Sequence, residues 1–242
     1  MPRFHLHTSI APEQPLALPP GAARHAQVLR LQPGDGVTLF DGSGGEWSAR
    51  VLRMGKSAVT VQALAHQSVE REAARAVHLA VGAMAAERMD WLIEKAVELG
   101  AASLAPVLTA RTQQRLTGER AEKKRAHWQA VAAAASEQCG RNRLMPIRAP
   151  LPWEAALQPA AVAGASARWL LSPSRDAAPL RAARAALPPG APVMLLSGPE
   201  GGFTPEEQAA AQAAGWQPVA LGPRILRAET APLAALAALA DF

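Results

Sequence analysis

The sequence predicts an α/β protein in which a small N-terminal β-barrel precedes a larger domain built on a parallel sheet. In residues 1–72, short apolar runs alternate with polar residues and are separated by glycine-bearing turns, a pattern typical of antiparallel strands. From about residue 76, apolar runs alternate with helical segments, which is the signature of βαβ units. We therefore expect two domains, 1–72 and 73–242.

One short helix is expected inside the barrel domain. The stretch "GAARHAQVLRL", residues 21–31, places Ala22, Ala26, Val28 and Leu29 at helical spacing and is followed by Pro33 and a glycine. Apolar residues recurring at this spacing predict an amphipathic helix whose apolar face packs on the strands.

A hairpin follows this helix. In "DGVTLFDGSGGEWSARVLRM", Val37 and Leu39 alternate with polar residues, the pattern breaks at residues 41–45, and it resumes at Trp47. A glycine-bearing break between two alternating runs favours a β-hairpin. A further strand is expected in "SAVTVQAL", residues 57–64.

The second domain alternates strands and helices. Strands are expected at residues 77–84, 103–108, 168–172, 193–197 and 218–221. Helices are expected in "ERMDWLIEKAVELG", which has an apolar stripe and ends at Gly100, in "AEKKRAHWQAVAAAASEQC", in "WEAALQ" and in the final "APLAALAALADF". For this last helix we expect Thr230 as the N-cap and Pro232 in the first turn.

Composition and charge restrict the class of protein. The N-terminus resembles no signal peptide, no apolar run approaches the length of a membrane span, and the single cysteine, Cys139, cannot form an internal disulfide; we expect a cytoplasmic, soluble protein. Residues 111–148 carry nine basic and three acidic side chains. Such a patch favours a phosphate backbone as partner, although a solvated helix face explains the charge equally well.

A glycine-rich turn after the apolar run in "VMLLSGPEGGFTPEE" raises the possibility of a phosphate site. However, Gly198, Gly201 and Gly202 fit neither the P-loop nor the dinucleotide spacing, no lysine follows, and Glu200 would repel phosphate. The turn therefore favours a ligand without phosphate that hydrogen-bonds to closely approached main chain. A second unusual turn, "GPRILRAET", follows the last predicted strand, and ligands bind at the carboxyl ends of strands in such sheets.

Taken with each other, these two turns are similar to those of the RsmE-type SPOUT methyltransferases, which methylate N3 of a specific uridine in 16S ribosomal RNA. "MPRFHL", "HAQVLRLQPGDGVTLFDGSGGEW", "ERMDWLIEKAVELGAASLAPVLTAR" and "HWQAVAAAASEQCGRNRLMPI" extend the resemblance along the chain. It implies an N-terminal PUA-like β-barrel and a SPOUT α/β-knot domain whose C-terminal segment threads a trefoil knot. Knots are rare enough that pattern reasoning alone predicts an unknotted sheet.

The resemblance also implies a homodimer, S-adenosyl-L-methionine (SAM) as cofactor, the small ribosomal subunit with its 16S rRNA as partner, and neither membrane nor metal. The implied cofactor-binding residues are Leu171, Ser172, Leu196, Ser197, Gly198, Glu200, Gly201, Gly202, Leu221, Gly222, Ile225, Leu226 and Thr230. SAM has an adenine edge and a positive sulfonium but no phosphate, which agrees with the glycine-rich turn.

Methylation of N3 requires loss of its proton and stabilisation of the anionic base. We expect Arg227 to stabilise that base, Arg224 to contact phosphate or base, and Glu229 to orient an arginine or relay the proton. The residues expected to hold the RNA backbone are Arg3, Arg24, Arg30, Arg88, Lys123, Lys124, Arg125, Arg141 and Arg143.

Three other hypotheses remain open at this point. A SPOUT enzyme could act on another RNA, such as tRNA or 23S rRNA. A PUA-type RNA-binding protein could keep the fold without catalysis, although both turns retain their arginines and glycines. A nucleotide-phosphate enzyme fits least well, because the turn lacks the lysine and the spacing.

Overall fold

The structure, a computed structural model, describes residues 1–56, 58–112, 116–158, 164–174 and 176–240. The chain divides into two compact units. The N-terminal unit comprises Met1–Glu72 with Ala133–Leu144, and the C-terminal unit comprises Ala73–Ala132 with Met145–Phe242.

The N-terminal unit contains one five-stranded sheet and a short helix. The strands are β1 (Arg3–His5), β2 (Pro15–Ala17), β3 (Gly36–Phe40), β4 (Glu46–Met54) and β5 (Val59–Gln67), in the order β1-β3-β4-β5-β2, and the helix is α1 (Pro20–Val28). β3 and β4 form the predicted antiparallel hairpin, and β5 pairs with β4. β1 and β2 were not predicted, because strands of three residues are too short to show a period.

The core of this unit lies between the sheet and α1. Phe4, Val37 and Leu39 are fully buried, and Ala26 of α1 packs in the same cluster. The predicted apolar face of α1 is partly wrong: Val28 is 73% exposed and Leu29 44% exposed. Val28 lies two residues after Ala26, about 200° around the helix, and so faces the opposite side, and Leu29 is the C-cap after the last helical residue.

The C-terminal unit is built on a seven-stranded parallel sheet. Its strands are β6 (Val77–Gly82), β7 (Ser103–Leu108), β8 (Leu151–Pro152), β9 (Ala167–Leu171), β10 (Ala178–Pro179), β11 (Val193–Ser197) and β12 (Gln217–Ala220). Their order is β10-β12-β9-β11-β6-β7-β8, and all neighbours are parallel. The five predicted strands are all present, while the two-residue strands β8 and β10 were not predicted.

Six helices connect or follow these strands in the described residues. They are α2 (Ala86–Glu98), α3 (Gly118–Cys139), α4 (Trp153–Ala156), α5 (Leu180–Ala185), α6 (Pro205–Ala213) and α7 (Thr230–Leu239). α2 buries its predicted stripe, including Met89, Leu92 and Ile93, and Gly100 follows it with φ of 80°, as expected of a residue at C′. No helix among the described residues is long and apolar enough to cross a membrane.

The predicted N-cap of α7 is wrong. Thr230 is the first helical residue and Glu229 is the N-cap, with φ of −74° and ψ of −30°. The reason lies one turn earlier, because the carbonyl oxygen of Arg227 accepts hydrogen bonds from the N–H groups of Thr230 and Ala231, both at 3.0 Å. Pro232 lies in the first turn as predicted. The last two residues of the predicted helix, Asp241 and Phe242, lie outside the described residues.

Candidate active site

A cavity of about 390 Å³ lies where three neighbouring strands of the parallel sheet end. Leu171 closes β9, Ser197 closes β11, and Leu221 directly follows β12; all three line the cavity. Its volume falls in the range of about 300–1,000 Å³ that small-molecule sites occupy. The position is the one that open α/β sheets use for ligands.

The structure brings together most of the predicted cofactor residues. Eleven of them line the cavity: Leu171, Ser172, Ser197, Gly198, Glu200, Gly201, Gly202, Leu221, Gly222, Ile225 and Leu226. Two do not. Leu196 is fully buried in the core beneath the sheet edge, because side chains alternate along a strand and Ser197 takes the other face. Thr230 lines a different cavity, on the far side of residues 221–226.

The loop after β11 needs glycine where backbones approach each other. A Cβ on Gly198 would lie 3.1 Å from Cα of Gly202, and a Cβ on Gly82, at the end of β6, would lie 2.4 Å from the nitrogen of Pro199. Gly202 has φ of 68°, which side chains disfavour. The glycines therefore let this loop pack closely on itself and on the end of β6; that its main chain binds a ligand stays a prediction.

Glu200 ties this loop to the start of α2. Its Oε1 accepts a hydrogen bond from the N–H of Ala85 at 3.0 Å and lies 3.4 Å from Nη1 of Arg88. Arg88, predicted to contact RNA, thus pairs with a residue that lines the cavity. The carboxylate of Glu200 places a negative charge at the wall of the cavity, which suits a cationic ligand and opposes an anionic one.

A second attachment of the loop was not predicted. Nη1 of Arg111 donates a hydrogen bond to the carbonyl oxygen of Gly201. The buried carboxylate of Glu207 accepts from the N–H of Ala110 at 2.7 Å and from the N–H of Thr204 at 2.9 Å. Thr204 and Glu207 form a capping box at the start of α6. The sequence "TPEE" carries the signal of that box, whereas no local pattern indicates the contacts to residues 110 and 111.

The turn between β12 and α7 holds the three predicted catalytic residues. Arg224 is exposed and lines the cavity at the ends of β9, β11 and β12, whereas Arg227 is exposed and lines neither this cavity nor the neighbouring one. Glu229 is only 8% exposed, and its Oε2 has no hydrogen-bond partner among the described residues. Ile225, 86% exposed, lies at the mouth of the cavity instead of packing in the core.

Sequence reasoning missed several lining residues. The cavity is also lined by Pro173, Pro199, Phe203, Gln208, Val219, Ala228 and Ala231. Pro199, Phe203 and Ala228 lie inside the two recognised turns and could have been found there. Gln208 and Ala231 directly follow the two recognised stretches, on α6 and α7, and only the three-dimensional structure places them at the cavity.

Two of the predicted RNA-binding residues are held inside the N-terminal unit. Arg3 pairs with Glu46 at 2.6 Å and donates to Asn142 at 2.6 Å, and Arg141 is buried and pairs with Glu72. Burial by itself would raise the pKa of Glu46, but hydrogen bonds from Arg71, Arg3 and Asn142 outweigh it and lower the pKa to about 2. Both arginines therefore have carboxylate partners within this unit, which compensate their charge.

The other predicted RNA-binding residues are more accessible. Arg24 and Arg30 are exposed, on α1 and directly after it. On α3, Lys123 is exposed and pairs with Glu119, Lys124 is half-buried, and Arg125 donates to the carbonyl oxygen of Ile147. Arg143 is exposed and lies 3.3 Å from Glu70. Among the described residues, no cluster of His, Cys, Asp and Glu could hold a metal ion.

Two family profiles match the sequence. The one described as "RNA methyltransferase domain" matches residues 71–240, and the one described as "RNA methyltransferase PUA domain" matches residues 18–64. A relative from Synechocystis named "Ribosomal RNA small subunit methyltransferase E" is 38% identical over 87% of this chain and 67% of its own length. The Bacillus subtilis protein of the same name is 30% identical over 88% of this chain and 84% of its own.

Solved structures resemble the whole chain. A Neisseria gonorrhoeae "Ribosomal RNA small subunit methyltransferase E" bound to S-adenosyl methionine aligns with a TM-score of 0.88 and 34% identity over 99% of this chain and 96% of its own. A Legionella pneumophila protein in complex with bound SAM aligns with a TM-score of 0.89 and 34% identity over 98% of this chain and 96% of its own. These likenesses confirm the predicted fold class, a PUA-like domain followed by a SPOUT α/β-knot domain.

Proposed function

The chain belongs to the ribosomal RNA small subunit methyltransferase E family, and on that premise we propose that it transfers the methyl group of SAM to N3 of a specific uridine in 16S rRNA. The observation that carries the proposal is the cavity itself. Its walls come from the two turns that the family resemblance rests on, and eleven residues expected to hold the cofactor line it.

The residues present fit SAM. The loop around Gly198 offers main-chain groups to an adenine edge, and a side chain there would fill the space beside Gly202. Glu200 supplies a negative charge at the wall, and no lysine or P-loop spacing is available for a phosphate. When bound, SAM supplies an electrophilic methyl group activated by the positive sulfur.

The chain's own residues have two tasks in this reaction. They must hold donor and acceptor in line, which lowers the entropic part of the barrier, and they must stabilise the negative charge that develops on the base when the N3 proton leaves. We assign the stabilisation of charge to Arg227, with Arg224 in contact with the phosphate or the base. The buried carboxylate of Glu229 orients an arginine or relays the proton.

RNA binding is assigned to the PUA-like domain of residues 1–72, together with the basic region of residues 111–148. The exposed Arg24 and Arg30, together with Lys123, Lys124, Arg125 and Arg143 of the basic region, are proposed to contact backbone phosphates, which fix register without reading sequence. Arg3 and Arg141 have a structural role in this scheme, and Arg88 acts on the cofactor loop through Glu200.

The assembled small subunit is the proposed substrate, and a cytoplasmic homodimer is the proposed form of the enzyme. The names of the relatives support the substrate. The exposed Ile225 and Trp91 support association through the C-terminal unit, since apolar side chains gain free energy when they are removed from water. Light scattering coupled to size-exclusion chromatography measures the mass and tests the dimer.

The experiment that tests the function is methylation of undermethylated small subunits by the purified protein with SAM. We expect 3-methyluridine in the digested 16S rRNA by nucleoside mass spectrometry. Absence of 3-methyluridine overturns the proposal. Including tRNA and 23S rRNA in the same reaction shows whether another RNA gains the methyl group, and a thermal shift with ATP but not SAM indicates a nucleotide-phosphate enzyme.

A further inference from the structure

A second cavity, of about 1180 Å³, runs between α5 and α7 and is called the arginine groove here. It is lined by Arg75, Pro179, Leu180, Arg181, Arg184, Ala185, Leu187, Pro189, Ala220, Leu221, Gly222, Arg224, Leu226, Thr230, Ala234 and Ala238. Four of these residues are arginines, and none of the described lining residues is acidic. The groove therefore offers positive charge to an occupant.

The cluster of arginines in the groove is not explained by an excess of basic residues in this part of the chain. Residues 151–242 contain six basic and seven acidic side chains, so this part of the chain has a slight excess of negative charge. Nevertheless Arg181, Arg184 and Arg224, half of its basic side chains, line the one groove. Arg181 and Arg184 are three apart on α5, the spacing that puts two side chains on the same face of a helix.

Arg75 extends the positive charge to the other end of the groove. It is only 4% exposed; Nη1 donates to the carbonyl oxygen of Ala191 at 2.5 Å and Nη2 to that of Pro188 at 3.3 Å. Its Nε is buried without a hydrogen-bond partner among the described residues. The carbonyl groups that Arg75 contacts carry no net charge, so an anion in the groove would compensate the charge of this buried guanidinium group.

The groove adjoins the cofactor cavity. Leu221, Gly222, Arg224 and Leu226 line both spaces, so the turn after β12 is the wall between them. Thr230, Ala234 and Ala238 recur every four residues along α7, which gives the groove a length of about 12 Å at 1.5 Å per residue. An extended strand of two or three nucleotides fits this length, with one end beside the cofactor.

From this juxtaposition we propose that the arginine groove binds the backbone phosphates of the single-stranded RNA next to the methylated uridine. This inference rests on the proposed function for its choice of RNA. Guanidinium groups bind phosphate oxygens in a bidentate manner, and the small apolar side chains of Ala234 and Ala238 leave room for ribose. A second copy of the chain is a poorer occupant, because it would bury the arginines in an interface without lining carboxylates.

The test compares Arg181→Gln with Lys95→Gln, which removes one positive charge from a side chain that pairs with Glu94 and Glu98 on α2 and lines neither cavity. With undermethylated small subunits as substrate, Arg181→Gln is expected to raise KM about threefold to tenfold, to leave the Kd for SAM unchanged, and to make the dependence of log KM on log salt shallower by about 0.7 for one lost phosphate contact. Arg181→Lys keeps the charge but not the bidentate geometry, so it should restore the salt dependence and only part of the loss in KM. Lys95→Gln should behave as the wild-type protein.

Two results overturn the proposal. Either KM and its salt dependence are the same for Arg181→Gln and Lys95→Gln, or Arg181→Gln halves the mass in solution, which assigns the groove to a second copy. Binding of a short uridine-containing RNA oligonucleotide, followed by fluorescence anisotropy, separates this inference from the proposed function because it needs no methyl transfer. If the unchanged protein methylates nothing, weaker oligonucleotide binding by Arg181→Gln still supports the groove, and equal binding refutes it.

Discussion

Nη1 of Arg111 donates a hydrogen bond at 2.5 Å to the carbonyl oxygen of Gly201, a residue 90 positions further along the chain. This contact fixes the loop after β11, residues 198–203, to the segment that follows β7. Glu207 reinforces it by accepting from the N–H of Ala110. The loop that is expected to hold SAM is therefore positioned by residues that do not line the cavity.

Arg111→Met is expected to weaken SAM binding about threefold to tenfold. The variant loses a hydrogen bond from a charged donor, a contact of about 1.5 kcal/mol or more when it is well formed, and part of this is recovered by water because Arg111 is exposed. Isothermal titration calorimetry measures the Kd. Arg148→Met controls for loss of an exposed arginine, and an equal Kd for both variants would contradict the role of Arg111.

Glu200→Gln separates the charge of this side chain from its hydrogen bond. The amide oxygen can still accept from the N–H of Ala85, but the negative charge at the cavity wall is gone. We expect the Kd for SAM to rise about threefold while the Kd for S-adenosylhomocysteine, which lacks the positive charge, stays the same. Glu206→Gln is the matched control, because Glu206 is exposed and lines neither cavity. Equal losses for both ligands would show that Glu200 acts on the loop alone.

The sequence predicted those parts of the site that lie within one continuous stretch. The glycines and charged residues in 197–202 and 221–230 identified both turns. A single sequence can show them, because the conformation of a turn and the absence of a phosphate-binding lysine depend on a few consecutive residues. The positions of Arg111 and Glu207 could not be predicted, because their partners lie about 90 residues away and no pattern in one sequence pairs them. Equally, nothing local distinguishes Arg3, which is held by Glu46, from an arginine free to bind phosphate.

The secondary-structure predictions were also accurate where a continuous stretch decides the element and less accurate elsewhere. The bounds of β7 and β11 match the prediction, because buried parallel strands are continuous apolar runs that turns delimit. The face of α1 was predicted less well, because Val28 lies two residues after the buried Ala26 and therefore on the opposite face of the helix. The N-cap of α7 differs by one residue because a preceding turn at Arg227 already supplies its hydrogen bonds.

Glu207→Ala is expected to lower the free energy of unfolding by about 2–3 kcal/mol. The carboxylate is 7% exposed and accepts from the N–H groups of Ala110 and Thr204, and removing it leaves both donors without a protein partner. Urea denaturation followed by circular dichroism gives the value. Glu206→Ala changes the neighbouring exposed residue and should lower the free energy of unfolding by less than about 0.5 kcal/mol. Similar losses for both variants would show that the hydrogen bonds of Glu207 to residues 110 and 204 do not stabilise the fold.

Stability of the N-terminal unit is expected to depend on Glu46 at acid pH. Its pKa is lowered to about 2 in the folded protein from an ordinary value of 4.5, so the unfolded chain takes up the proton first as pH falls. The stabilisation from Glu46 is complete above pH 4.5 and disappears as pH falls through about 2. Denaturation midpoints of Glu46→Gln and the unchanged protein should differ at pH 7 and converge near pH 2. A constant difference across this range would contradict the assignment.

Arg227 and Arg224 are expected to affect different steps. Arg224 lines both the cofactor cavity and the arginine groove, whereas Arg227 lines neither, so only Arg224 is placed to hold ligands in the ground state. Arg224→Gln should therefore raise KM for the small subunit. Arg227→Gln should lower kcat about tenfold to a hundredfold and leave the Kd for SAM unchanged, because an interaction made with the developing charge is lost only in the transition state.

Single-turnover methylation at saturating SAM and subunit concentrations isolates this chemical step. A pH profile adds a second readout, since loss of the positive charge near N3 should shift the rise in rate toward higher pH, where the base ionises without help. If Arg227→Gln alters only KM, with a normal single-turnover rate and an unchanged pH profile, then Arg227 binds RNA and the charge on the base must be stabilised by another group. Arg224 would be the first to examine, because it lies on the same turn and reaches both cavities.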